Sequence, residues 1–130
     1  MTPEPGLTER NRALIGAFAD RFYRQKDVRG AFEEFVAPDY IQHNPGIPDG
    51  RGAAVARLLP MFSNPATSFE VKRVLVDGEF ACLHLHARPG PGERGGAVCD
   101  LYRVRDGKIV EHWDVMQSVP AESANRNTMF

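Results

Sequence analysis

The chain has 130 residues, enough for one domain with a real core and too few for two. Apolar residues make up 42% of it, which excludes a wholly disordered chain. Its 16 basic and 17 acidic residues nearly cancel and no basic cluster stands out, so there is no electrostatic footprint for nucleic acid.

No apolar run approaches the roughly 20 residues needed to cross a bilayer, so no membrane association is expected. Residues 1–6 have neither the basic start nor the apolar stretch of a secretory signal. Cys82 and Cys99 form neither a disulfide framework nor a Cys-x-x-Cys pair, so the expected setting is the reducing cytoplasm.

In chain order, residues 1–7 read as a loose lead-in. Thr8 is placed to cap a helix in which Leu14, Ile15, Phe18, Phe22 and Tyr23 recur at helical spacing. Asp27 caps a second, shorter helix carrying Val28, Phe32, Phe35 and Val36, which Pro38 stops. Residues 40–44 are short and strand-like, and the turn-rich 45–50 is a loop. A third helix is predicted over 53–62, with Pro60 distorting its last turn.

The hydrophobic period then changes from 3.6 to 2. Strands are predicted over 68–76 and 80–88, joined at Asp77-Gly78. A glycine-proline loop covers 89–96. Strands over 97–105 and 108–117 make a second hairpin around Asp106-Gly107, and 119–130 is a polar tail or partner-dependent arm. One domain over 8–118 results. Helices first and an antiparallel sheet afterwards is an α+β order, and a twisted sheet closing over helices leaves a concavity.

The C-terminal hairpin carries the densest chemistry. Asp100 and Tyr102 lie on one strand, and Glu111, His112, Trp113 and Asp114 on the next. A two-residue Asp106-Gly107 turn pairs Val104 with Ile109 and sends Asp100 and Asp114 to opposite faces. A three-residue loop with a glycine bulge pairs Val104 with Lys108 and Asp100 with His112, beside Asp114. A one-residue slip separates the two, and the apolar Val104–Ile109 pair favours the first. In the second, two carboxylates and an imidazole share a site, and neighbouring carboxylates tune each other toward proton exchange. Solvated charges on a surface strand are the plainer reading of the same residues.

His84 and His86 form a His-x-His on one strand face, a spacing that suits a metal. The acidic residue and later histidine expected with it are missing, so neither a metal nor a cofactor is predicted. Gln42-His43-Asn44-Pro45 puts two polar side chains at a loop edge, where His43 and Asn44 can orient a carbonyl or an enolate, or Asn44 simply caps its own backbone before Pro45. Phe18, Phe22, Tyr23, Phe35, Met61 and Phe62 read as core, some of them lining a cavity as well. There is no phosphate-binding glycine loop and no Gly-x-Ser-x-Gly elbow.

Taken together, Phe22-Tyr23, the run Tyr40-Ile41-Gln42-His43-Asn44-Pro45, Pro48-Asp49-Gly50, and residues 100–114 (DLYRVRDGKIVEHWD) resemble the SnoaL-like polyketide cyclase family of the nuclear transport factor 2-like (NTF2-like) superfamily. The resemblance spans about residues 8–118. It implies a cone of curved antiparallel sheet whose mouth the N-terminal helices close, and a homodimer formed through the outer sheet face. It assigns acid/base work to Asp114 and a pocket position to Asn44, with His43 beside it. The cyclases carry a pocket histidine where this chain has Asp100. Because the family pattern puts both aspartates in the pocket, the bulged hairpin is the expected one.

The expected site thus has Asp114, Asp100 and His43 in catalysis. Asn44, Tyr40, His84, Phe62, His112, Trp113 and Phe18 are expected around the substrate. The activity implied is cofactor-free enolate chemistry, cyclisation or isomerisation, on a small hydrophobic carbonyl compound. A non-catalytic module binding a hydrophobic molecule or partner, and a water-activating epoxide or hydrate chemistry, are the alternatives.

Overall fold

The computed structural model describes residues 5–130; residues 1–4 of the predicted lead-in lie outside the described residues. Helix α1 spans Leu7–Ala19 and runs into a π-helical turn at Asp20–Arg24. Helix α2 spans Val28–Phe35, and strand β1 follows it directly over Val36–Gln42. Helix α3 covers Arg51–Ser63. Four long strands complete the chain: β2 (Ser68–Asp77), β3 (Phe80–Arg88), β4 (Gly96–Arg105) and β5 (Lys108–Ser118). The sheet order is β1-β5-β4-β3-β2. β1 runs parallel to β5 and every other pair is antiparallel, so the sheet is mixed, not wholly antiparallel as expected. No helix of the described residues is long and apolar enough to cross a membrane.

The helices lie on the concave face, and one aromatic-rich core fills the space between. Phe18 and Ile15 of α1 are fully buried there with Leu83 of β3 and Ile109 of β5. Thr8 does not cap α1. The helix starts two residues earlier than a Thr8 cap would set it, at Leu7 after Gly6, and the Thr8 hydroxyl accepts the Gly78 N–H at 2.9 Å. Asn11 donates to the Gly78 carbonyl at 2.8 Å, so two side chains of α1 clamp the β2–β3 turn. Asp27 caps α2 as predicted, accepting from the Gly30 N–H.

Pro38 does not stop α2, which ends at Phe35 with Val36 already extended rather than helical; it sits inside β1. That strand pairs on one side only, so a residue without an N–H is tolerated. α3 continues past Pro60. Phe62 anchors its last turn, stacked on Phe22 and Phe69 at 4.5 and 4.4 Å between ring centroids.

The β4–β5 hairpin combines features of both predicted registers. Asp106 and Gly107 form a two-residue turn, with φ of 52° and 75°. Val104 pairs with Ile109, not with Lys108. The register then shifts: Val110 is left without a partner, and Arg103 faces Glu111, Tyr102 faces His112 and Asp100 faces Asp114. The three-residue loop and the Asp100–His112 pairing are therefore not made. A bulge two residues past the turn changes the parity instead. It keeps Ile109 in the core and still turns His112 and Asp114 to the concave face beside Asp100 and Tyr102.

The tail 119–130 forms no helix or strand. The Val119 N–H donates to the Gly95 carbonyl, and the Phe130 ring lies on the convex face of the sheet, stacked on His86 at 4.3 Å. Gly95 leads the chain into β4 with φ of 68°, and a Cβ there would stand 1.9 Å from the Ala87 carbonyl oxygen. Gly107 also has positive φ, but a Cβ there meets open space. We expect Gly107→Ala to cost about 1–2 kcal/mol from the left-handed conformation alone. Gly95→Ala must in addition push two strands apart, so its loss in urea or thermal unfolding should be clearly larger. Equal losses would contradict this account.

Candidate active site

A cavity of about 250 Å³ opens between the concave sheet face and the helices. Its walls are apolar, built from Phe22, Phe32, Phe62, Phe69, Leu85 and Ile109 among others. Its polar residues come from four places: Tyr23 from the π-helical turn, Asp100 and Tyr102 from β4, His112 and Asp114 from β5, and Tyr40, Gln42 and Asn44 from β1 and the residues just after it.

These groups form one hydrogen-bonded chain. The Tyr23 hydroxyl lies 2.6 Å from that of Tyr102 and donates to Asp100 Oδ2 at 2.5 Å. The other Asp100 oxygen is 2.9 Å from His112 Nε2. The same Nε2 stands 3.8 Å from Asp114 Oδ2, which accepts from Asn44 Nδ2 at 2.7 Å. The opposite ring nitrogen, His112 Nδ1, meets Gln42 Oε1 at 2.7 Å. Among the described residues no buried side-chain polar atom lacks a partner.

The segment Gln42-His43-Asn44 interlocks with Glu111-His112-Trp113-Asp114, because β1 and β5 run parallel with Gln42 opposite His112. Gln42 takes His112 and Asn44 takes Asp114 on the cavity side. On the outer side His43 stacks flat on Trp113, 4.8 Å apart at 1°, and bonds Glu111 at 2.7 Å. Arg103 grips the same carboxylate from β4 at 2.6 and 2.8 Å. The hydrogen bond from His43, aided by Arg103, holds the Glu111 carboxyl below the usual carboxylate range.

The predicted site residues divide accordingly. Asp100, Asp114, His112, Asn44, Tyr40 and Phe62 border the cavity. His43 and Trp113 do not: strand alternation sends Trp113 to the face opposite His112 and Asp114, and His43 follows it. His84 is also on the convex face, beside Arg73 and the Phe130 ring, because its neighbours Leu83 and Leu85 take the inner positions. Phe18 is buried among Phe22, Tyr23, Phe35 and Tyr102 and does not border the cavity; it packs the core beneath it.

Three polar residues of the site carried no functional expectation from sequence. Tyr23 and Tyr102 read as an apolar-spaced helix residue and a strand residue, and Gln42 as part of a loop edge. Pairing of Gln42 with His112 across β1 and β5 was not visible from chain spacing. Burial, strengthened by the Asp100 charge, pushes the Tyr23 and Tyr102 hydroxyls well above the ordinary phenol range. Burial raises Tyr40 to about 12. All three phenols therefore stay protonated at neutral pH and serve as hydrogen-bond groups, not as bases.

Asp100, His112 and Asp114 also offer one ligand atom each, all within 4.8 Å of one another, and are the residues among those described that can hold a metal ion together. Here those atoms are satisfied by one another and by Tyr23 and Asn44.

Three helices against a curved five-stranded sheet, with an apolar cavity between them, are the cone fold of NTF2-like proteins. The SnoaL-like domain profile matches residues 15–112, and the chain belongs to that family. Among solved structures, an NTF2-like protein of unknown function from Mesorhizobium loti is 23% identical with a TM-score of 0.73, covering 91% of this chain and 100% of its own. A candidate ketosteroid isomerase from Kribbella flavida is 20% identical with a TM-score of 0.71, covering 95% and 89%. A candidate polyketide cyclase from Acidithiobacillus ferrooxidans is 15% identical with a TM-score of 0.65, covering 82% and 87%. At these identities the likeness is one of fold. Among curated proteins none matches the sequence.

Proposed function

We propose that this chain is a cofactor-free acid–base enzyme that forms and quenches an enolate on a small, largely apolar carbonyl compound. The observation that carries the reading is a carboxylate, Asp114, held in place by Asn44 at the edge of an apolar cavity, with the hydrogen-bonded His112–Asp100 pair 3.8 Å away. Asp114 takes the proton from the carbon next to the carbonyl. The C–H electron pair moves into the enolate, and an O–H bond forms on Asp114. The second N–H of Asn44 is the donor offered to the enolate oxygen, a role expected of His43 or Asn44 from sequence; the Tyr102 hydroxyl is spent on Tyr23, whose own hydrogen goes to Asp100. Returning the proton to another carbon completes an isomerisation; attack of the enolate carbon on a second carbonyl of the same molecule closes a ring, and the alkoxide left by the broken C=O π bond takes the proton back from Asp114.

Deuterium wash-in tests this without knowledge of the natural substrate. The protein in D2O with cyclohexanone or 2-tetralone should remove the α-proton signals in proton NMR faster than buffer does. Exchange at the buffer rate for both ketones, together with saturable binding of either, would instead support a binding module in the same cone.

The same reading includes a homodimer through the convex sheet face. Leu75, Cys82, Leu101 and Trp113 lie side by side across β2 to β5 there, flanked by Phe80 and by Val115, which is 70% exposed. Exposed apolar surface of this extent on a sheet favours self-association. Sedimentation should give twice the 14.5 kDa chain mass. Val115→Asp, which leaves the cavity face alone, should shift it to the monomer; a wild-type protein already monomeric at high concentration refutes the dimer.

A further inference from the structure

We infer that Gln42 is a positioning residue that locks His112 with a hydrogen on Nδ1, leaving Nε2, between the two aspartates, as the only ring atom that exchanges a proton. This deepens the acid–base reading and rests on it for its catalytic meaning, though not for the tautomer itself.

The argument is an inventory of donors and acceptors. Gln42 Oε1 lies 2.9 Å from the backbone N–H of Asn44, a group that can only donate. The atom facing it must therefore be the amide oxygen, so the side chain cannot be flipped. Gln42 Nε2, on the other side, donates to the Tyr40 hydroxyl at 2.8 Å, which holds the amide plane from its far end. His112 Nδ1 meets that same oxygen at 2.7 Å, and two acceptors cannot bond, so Nδ1 carries hydrogen in both the neutral and the charged ring.

Everything variable is then at Nε2. It faces Asp100 Oδ1 at 2.9 Å and Asp114 Oδ2 at 3.8 Å. With hydrogen fixed on Nδ1, the neutral ring bears its lone pair on Nε2, and the 2.9 Å contact to Asp100 Oδ1 is the one place where a hydrogen can move between ring and carboxyl. When the proton passes to Nε2 the ring becomes imidazolium and Asp100 a carboxylate, which the Tyr23 hydroxyl supports through Oδ2. A proton that Asp114 takes from substrate can be exchanged across the 3.8 Å gap by a short swing of its carboxyl. Such a transfer moves one proton and leaves the total charge of the three groups unchanged. With the opposite tautomer Nε2 would already carry its hydrogen, and the neutral ring could not accept one there.

The test reads the ring nitrogens directly, by 15N-histidine NMR of the folded full chain at a pH where the His112 ring is neutral, with His112→Gln used to assign its signals. The expected result is a protonated Nδ1 and an unprotonated Nε2 in the wild type. Gln42→Glu keeps an oxygen toward Nδ1 and Asn44, so it should keep that pattern. Gln42→Leu removes the acceptor and should turn the neutral ring to the Nε2–H form. Ketone exchange in Gln42→Leu should slow about 10- to 100-fold in kcat with little change in KM, as when an orienting partner of a functional imidazole is lost elsewhere, and Gln42→Glu should restore it. A wild-type ring protonated on Nε2 when neutral overturns the inference, whether or not the ketones exchange. A wild-type ring locked as described in a protein without exchange activity instead overturns the acid–base reading and leaves the lock standing.

Discussion

Asp114→Asn is expected to lower α-proton exchange of the ketone probes by about 10² to 10⁴-fold, the range over which a positioned general base contributes. The substitution removes the basic oxygen while keeping the shape. The new side chain can still offer its carbonyl oxygen to Asn44 Nδ2, so the 2.7 Å contact that seats residue 114 survives. Its amide then points toward the cavity, where it has no capacity to take a proton. Asp114 is also only partly buried, so stability should change little. Unfolding in urea alongside the NMR exchange assay separates lost chemistry from lost structure. Undiminished exchange in a folded Asp114→Asn protein would remove Asp114 from the mechanism and move attention to Asp100, the other carboxylate of the cavity.

Phe18→Ala is expected to cost about 3–5 kcal/mol of folding stability, the usual loss for a buried phenylalanine. Against a total of about 5–15 kcal/mol for a domain, that is the largest single effect we foresee on the fold. Phe18 is fully buried and meets five rings: Phe22, Tyr23, Phe32, Phe35 and Tyr102. Its removal leaves a hole where α1, α2 and the sheet converge. Because the ring lies beneath the cavity and not on its wall, the fraction that remains folded should still bind and exchange the ketones with nearly unchanged KM. A variant of near wild-type stability with a raised KM would return Phe18 to the substrate-contacting role expected of it from sequence.

The two largest corrections, at His43 and Trp113, and the omissions at Tyr23 and Gln42 share one cause. Each depends on which element lies beside which. Period-2 alternation along β5 already separates Trp113 from His112 and Asp114, but it cannot tell which side is the cavity. His43 had no partner strand in the sequence reading, so its face was open. Tyr23 reaches Asp100 because the last turn of the first helical run is a π-helical turn, which sets Phe22 and Tyr23 both inward. Apolar spacing alone reads the same two residues as an ordinary helical stripe.

The hairpin is the clearest case. Two arguments from sequence pointed to different registers: apolar pairing favoured Val104 with Ile109, and the family likeness favoured both aspartates inward. The molecule satisfies both by leaving Val110 unpaired. A bulge of this kind has little local signature, since any residue can occupy it. Its position is selected by the need to bury Ile109 and also turn His112 and Asp114 toward the helices.

What the sequence determined on its own is the part governed by local chemistry: the periods that make three helices and then long strands, the Asp27 cap, the place of the last hairpin around Asp106-Gly107, and the family to which these residues point. Such features depend on a few neighbouring residues and their backbone preferences. What only the tertiary structure decided is the parallel seating of β1 on β5, the parity change at Val110, and therefore which of the polar side chains share the cavity. Those depend on contacts between residues as far apart as Tyr23 and Asp100 or Gln42 and His112, where one slipped position exchanges the inner face of a strand for the outer one.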